Sequence, residues 1–272
     1  MSGPRKASAL VACLCFQSLG VQASGAGKVS INHGTFITYQ LLSEFAVVGA
    51  DSISLDDNDR PFNYCKVIPL SDRMIFFSSG LGAAEDKPGH KVFDINQSAK
   101  HAFVQGGLTN DPAIVGDIFA KQTLSELTEI TRQTGRTMET GNNGLVYQAS
   151  FVGGAQTLSE TNIIVRWKTN RYNMEINRYE PPQNSNMGYQ DILRTHMSAA
   201  DAKAIETIGD RLKTTANLTT FEDDTAAIIE RVVRIVITYS GNKLIGGEPI
   251  VAILDRTKGF RWFRRLDFCP EK

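Results

Sequence analysis

The chain has 272 residues, 29 basic and 29 acidic, with 42% hydrophobic residues and a formal charge of zero. That composition suits one globular domain with a sizeable core. It offers no charge excess for nucleic acid or an anionic membrane surface.

Residues 1–23 read as a secretory signal. Arg5 and Lys6 supply the positive region, Ala7 to Val21 the apolar stretch, and Val21-Gln22-Ala23 the small-residue cleavage site, with Ser24-Gly25-Ala26 as a second choice. The apolar run is short for a bilayer span. A secreted or periplasmic location is therefore expected, against a disordered cytoplasmic leader as the alternative. Residues 1–34 hold Arg5, Lys6 and Lys28 and no acid, so their removal leaves 26 basic against 29 acidic residues. Of the four cysteines, Cys13 and Cys15 depart with the signal. Cys65 and Cys269 remain, to form one disulfide or two independent thiols.

Thr35–Leu42 and Phe45–Ala50 read as a first hairpin, and Lys66–Leu70 and Met74–Ser79 as a second. Leu55 to Tyr64 between them is a polar loop whose acids lack the Gly and terminal Glu of a calcium loop. Glu85 to Val92, with Pro88-Gly89, reads as a loop. Helices follow over Asp94–Gln105 and, from Asp111-Pro112, to about Thr134. Leu145–Gly153, Ile163–Lys168 and Tyr172–Tyr179 read as three strands, and Glu180 to Met187 as a Pro/Asn loop. Asp191 to Leu212 reads as helical with a break near Ser198, where Ser198-x-x-Asp201 resembles a capping box. A strong helix capped by Asp223-Asp224 carries Ile228, Ile229, Val232, Val233, Ile235 and Val236. Ile250–Leu254 and Phe260–Leu266 close the chain as strands. This order is neither a βαβ alternation nor a repeat array.

Three side chains near the start have complementary chemistry: Thr35, Asp51 and Lys66. A threonine hydroxyl needs a base to act as a nucleophile. Cutting the Gly34–Thr35 bond would give Thr35 a free α-amine, which titrates near pH ~8 and can take a proton at neutral pH. A neighbouring Lys66 ammonium would favour the neutral amine by like-charge repulsion, and Asp51 would hold and compensate Lys66. Gly80 lets its backbone N–H approach a reacting carbonyl as an oxyanion donor. Thr35 and Asp51 are 16 positions apart, enough for one hairpin that returns to its starting end.

These residues resemble the N-terminal part of proteasome β-type subunits, within the N-terminal-nucleophile hydrolases. That family has a Gly-Thr processing junction, an Asp-Ser after the second strand, a Lys opening the third and a small-residue Gly turn after the fourth. Here they are Gly34-Thr35, Asp51-Ser52, Lys66 and Ser79-Gly80, with the Asp-to-Lys loop one residue shorter. Beyond Gly82 the likeness is topological. Ser240 matches the family's late serine, while Ile237 stands where its partner Asp would be and Ile53 replaces an Arg.

The resemblance implies an α+β fold, a four-layer αββα sandwich of two antiparallel sheets. It implies a 24–34 propeptide removed autocatalytically and a single mature domain over 35–272. The activity implied is a threonine hydrolase for peptide or other amide substrates, with Thr35, Asp51, Lys66, Gly80 and Ser240 as site residues and no cofactor or metal. No nucleic-acid partner and no membrane association after processing are expected. Assembly of identical copies, or a monomer, fits an exported chain better than a mixed ring. The alternative is a silent binding or structural protein of the same fold that keeps its propeptide. His33, His90, His101 and His196 show no metal-ligand spacing, and Gly80-Leu81-Gly82 lacks the Lys-Ser/Thr of a phosphate loop. Ser78 and Ser79 lack a nucleophile-elbow context. Asn96-Gln97-Ser98 and Asn217-Leu218-Thr219 are glycosylation sequons, relevant only to an exported eukaryotic chain.

Overall fold

The computed structural model describes residues 30–32, 36–56, 60–87, 90–140, 142–187, 190–241 and 245–271. In chain order the strands and helices begin with β1 (Ser30–Asn32), β2 (Ile37–Leu41), β3 (Phe45–Ala50), β4 (Ile53–Leu55), β5 (Pro61–Asn63), β6 (Val67–Ser71) and β7 (Met74–Gly80). Next come β8 (Ala83–Lys87), β9 (His90–Asp94), α1 (Ile95–Gln105), α2 (Pro112–Thr134), β10 (Leu145–Gly153), β11 (Ser159–Lys168), β12 (Arg171–Tyr179) and β13 (Gln183–Met187). The chain ends with α3 (Gln190–His196), α4 (Ala199–Glu206), α5 (Ile208–Thr214), α6 (Leu218–Tyr239), β14 (Ile250–Asp255) and β15 (Gly259–Arg264).

Two five-stranded sheets dominate this mixed α/β fold, in the orders β12-β11-β10-β7-β6 and β13-β2-β3-β14-β15, with antiparallel neighbours throughout. Strand alternation sends successive side chains to opposite faces. In the β6–β7–β10–β11–β12 sheet, Phe76, Ala149, Phe151, Ile163 and Val165 meet Val115, Phe119 and Leu127 of α2. The opposite face sends Val67, Ile75, Phe77 and Val152 against Ile37, Tyr39, Val48, Ala252 and Leu254 of the second sheet. That second sheet turns Val47, Val251 and Ile253 to Phe221, Ala226 and Ile229 of α6. Phe119 lies 5.1 to 5.9 Å from Phe76, Phe151 and Tyr147, ring centre to ring centre, in tilted or edge-on arrangements. Such pairs each add about 0.5–1.5 kcal/mol beyond the area they bury.

The helix starts have identifiable chemistry. The Asp94 carboxylate accepts from the N–H groups of Asn96 and Gln97, and that of Asp111 from Ala113, with Pro112 in the first turn of α2. Gly135 ends α2 in the left-handed conformation that glycine tolerates. Ser198 caps α4 by accepting from the Asp201 N–H, and its hydroxyl donates to the Asp201 carboxylate.

Five expectations are corrected. The stretch 85–92 is a β-hairpin of β8 and β9, extended by β1, and its Pro88-Gly89 turn lies outside the described residues. Buried Ala83, Ala84 and Phe93 give this hairpin an inner side that its polar tip conceals. The Glu180–Met187 loop contains β13, an edge strand on β2, where backbone pairing outweighs a composition poor in strand formers. The polar loop between Leu55 and Tyr64 holds the short β4–β5 ladder. The long helix α6 begins at Leu218 with Asn217 as its cap, so Asp223 and Asp224 lie inside it. The helical stretch after Asp191 also breaks twice, near Ser198 and again at Thr207.

Cys65 and Cys269 are joined in a disulfide. It ties the residue before Lys66 to the C-terminal tail and packs against Ile250.

Candidate active site

Gly34 and Thr35 lie outside the described residues. Phe36, the next residue, is buried with Leu193 of α3, Val232, Val233 and Val236 of α6, and Ile245. Its backbone is held from both sides. The Phe36 N–H donates to Asp51 Oδ1 at 2.7 Å, and the Asp51 N–H donates to the Phe36 carbonyl at 3.2 Å. The β2–β3 hairpin produces this closure, since Ile37 pairs with Ala50.

Lys66 reaches the same carboxylate. Its Nζ lies 2.7 Å from Asp51 Oδ1 and also donates to the Ile53 carbonyl. Asp51 is 0% and Lys66 1% exposed at the side chain, so the pair is removed from solvent. Burial pushes the Lys66 ammonium below its ordinary pKa, opposed by the charge and hydrogen bond of Asp51. Asp51 Oδ2 accepts from the Gly246 N–H at 3.2 Å, so backbone donors from two distant segments complete the anion's shell.

Ser52 fastens the same segment. Its N–H donates to the Gly246 carbonyl and its Oγ accepts from the Glu248 N–H. A Cβ at Gly247 would stand 2.3 Å from Ser52 Oγ, so this turn requires glycine. The sequence showed Ile245-Gly246-Gly247 only as the lead into a strand. Its role at Asp51 had one available signal, the glycine pair that permits close backbone approach, while the Ile53 carbonyl contact with Lys66 had none.

Gly80 ends β7 at the Lys66 end of the β6–β7 hairpin, where the Ser78 N–H donates to the Lys66 carbonyl. Its φ is +89°, and a Cβ there would stand 2.6 Å from the Val146 carbonyl oxygen. Backbone geometry thus demands glycine at position 80 independently of any catalytic role. Ser240 caps the C-terminus of α6, donating its N–H to the Val236 carbonyl, and the last turns of that helix pack on Phe36. Ile237 is partly buried in that cluster and supplies no acid.

The structure therefore brings Asp51 and Lys66 into contact beside Phe36 and sets Gly80 at the same end of the β6–β7 hairpin. Such an arrangement holds a fixed cation, compensated by one anion, at the carboxylate that also takes the Phe36 N–H. Among the described residues no group of three or more His, Cys, Asp or Glu is arranged to hold a metal ion. None of the described helices is long and apolar enough to cross a membrane.

Neither a protein-family model nor a curated protein matches this chain. Among solved structures it is similar to one described as an Anbu (Gly-1) mutant from Hyphomicrobium sp. strain MC1. The identity is 10%, over 87% of this chain and 89% of that one, with a TM-score of 0.48.

Proposed function

We propose that this chain is the precursor of an exported threonine hydrolase that acts on peptide or other amide bonds. The stacked helices and sheets read as a four-layer αββα sandwich. Residues 1–23 are the signal and 24–34 the propeptide, and autocatalytic scission of Gly34–Thr35 opens the working domain 35–272. The observation that carries this reading is the buried Asp51–Lys66 pair, whose shared carboxylate oxygen also takes the Phe36 N–H. The Cys65–Cys269 disulfide supports export, since such bonds persist in oxidising compartments.

The chemistry follows from these groups. The Thr35 Oγ attacks the substrate carbonyl carbon while the Thr35 α-amine accepts the hydroxyl proton. The oxyanion forms against the Gly80 N–H. The tetrahedral adduct collapses, the C–N bond breaks, and the departing amine takes the proton held by the α-amine. A water then attacks the ester on Oγ by the same proton route, releasing the acid and restoring Thr35. The Lys66 cation keeps the α-amine neutral and receptive, and Asp51 fixes Lys66. Ser240, the C-cap of α6, is assigned the family serine's auxiliary role on the resemblance alone. No metal or organic cofactor enters this route.

The competing reading is a silent binding or structural protein that keeps its propeptide. Ile237 at the acid's place and the backbone demand for glycine at position 80 favour it. A Thr35→Ala variant separates the two. The enzyme reading requires this variant to retain residues 24–34 and to lose amide hydrolysis. A variant that matures like the parent overturns it.

A further inference from the structure

The inner face of the β6–β7–β10–β11–β12 sheet is graded along its length. Toward one end it is closed: Val152, Ser150, Glu160 and Asn162 are all buried, and Glu160 accepts the Tyr39 hydroxyl from the second sheet. Toward the Gly80 end the same face carries Ser79, Gln148, Ile164 and Arg166, all partly exposed. Register fixes these neighbours, since Gln148 pairs with Ser79 on one side and with Ile164 on the other. Ile163 and Val165 point to the α1–α2 side, so Ile164 and Arg166 point to the space between the sheets. The inner face is therefore less completely covered at the end where Lys66 begins its hairpin.

Arg166 is unusual on this face. Its Nη1 is shielded from solvent and has no hydrogen-bond partner, and no carboxylate pairs with it among the described residues. A guanidinium nitrogen shielded from water without an acceptor is costly unless something supplies one, and the rest of the side chain is partly exposed and within reach of a ligand. It presents a planar fork suited to a carboxylate. Glu160 does not serve, because its carboxylate is taken by Tyr39 and Ser150 deeper in the interface. Gln148 lies on the neighbouring strand, with its amide turned to Asn162.

We infer that Arg166 is a specificity residue that receives an acidic group of the substrate, so that this end of the inter-sheet face selects peptides or amides bearing a carboxylate. This rests on the hydrolase reading above for the word substrate, but not for the binding itself. Arg166 lies on β11, with β10 between it and Gly80, so the acidic group it meets belongs to a residue flanking the scissile bond.

The test uses five fluorescein-labelled alanine pentapeptides carrying one Glu at each position in turn, with their five Gln counterparts. Binding to the mature protein is read by fluorescence anisotropy, and cleavage by chromatography with mass detection. The expected result is at least tenfold tighter binding of Glu over Gln at one position. Arg166→Gln removes that ratio and leaves the Gln peptide within twofold, while Arg166→Lys, which keeps the charge, retains part of it. Equal binding of Glu and Gln peptides at every position overturns the inference, as does a preference that survives Arg166→Gln in a variant with unchanged thermal midpoint. Selective binding with no cleavage leaves Arg166 as an acid-recognition residue and refutes the hydrolase reading instead.

Discussion

Replacing Lys66 by Met removes the cation from a pair that is fully enclosed, leaving Asp51 with the N–H groups of Phe36 and Gly246 alone. Replacing Asp51 by Asn leaves the ammonium facing a neutral amide and the Ile53 carbonyl. Breaking a buried pair by removing one partner costs about 3–5 kcal/mol, because the remaining charge stays desolvated. Each single variant should therefore lose about that much stability at pH 7. The double variant holds neither charge, so it should lose less than the sum, with a coupling of about 2–3 kcal/mol. Equilibrium urea unfolding of the four proteins measures this directly. Single losses below about 1 kcal/mol, as for a solvated surface pair, would refute the reasoning. So would additivity within about 0.5 kcal/mol.

Glu160 is buried with its carboxyl pushed up to about 7, chiefly by desolvation and against its hydrogen bonds from Ser150 and Tyr39. The folded state thus binds a proton more tightly than the unfolded one, whose carboxyl titrates near pH ~4.5. Its stabilising contribution is full below that value and is lost as pH rises through about 7. The magnitude is on the order of 3 kcal/mol at 1.36 per unit. Glu160→Gln, a neutral mimic of the acid, should flatten the stability slope between pH 5 and 8 in urea titrations. An unchanged slope would contradict the assignment. Cys65 and Cys269 lie 204 positions apart, so opening their bond releases a very long loop. Substituting both by Ser should cost about 5 kcal/mol in the chain-entropy account, read as a shift in the urea midpoint. Gly80→Ala meets both a left-handed backbone and the Val146 carbonyl. It should lose about 1–3 kcal/mol on thermal unfolding, whatever its effect on activity.

Legibility in the sequence followed locality. Asp94, Asp111 and Pro112 announced α1 and α2 because caps and first-turn prolines act within a few residues. The hairpins β2–β3 and β6–β7 were legible from apolar runs, since both faces of β2, β3 and β7 are covered. β8, β9 and β13 were hidden because their ladders depend on partners elsewhere and their sequences carry charged residues or Asn. Spacing pointed to Asp51 and Lys66 as partners, and the structure joins them. The Ile53 carbonyl was not legible and the Gly246 N–H only through its glycine pair, because backbone groups carry no residue-type signature. Cysteine parity allowed a bridge without choosing it; the fold supplies the choice by bringing positions 65 and 269 together.

The most direct test of the central claim is the N-terminal residue of the purified mature protein, read by terminal sequencing together with intact mass. The account predicts Thr35 at the first position, with a free α-amine and the 35–272 mass. A mature chain that begins upstream, with Gly34 still joined to Thr35, would contradict it.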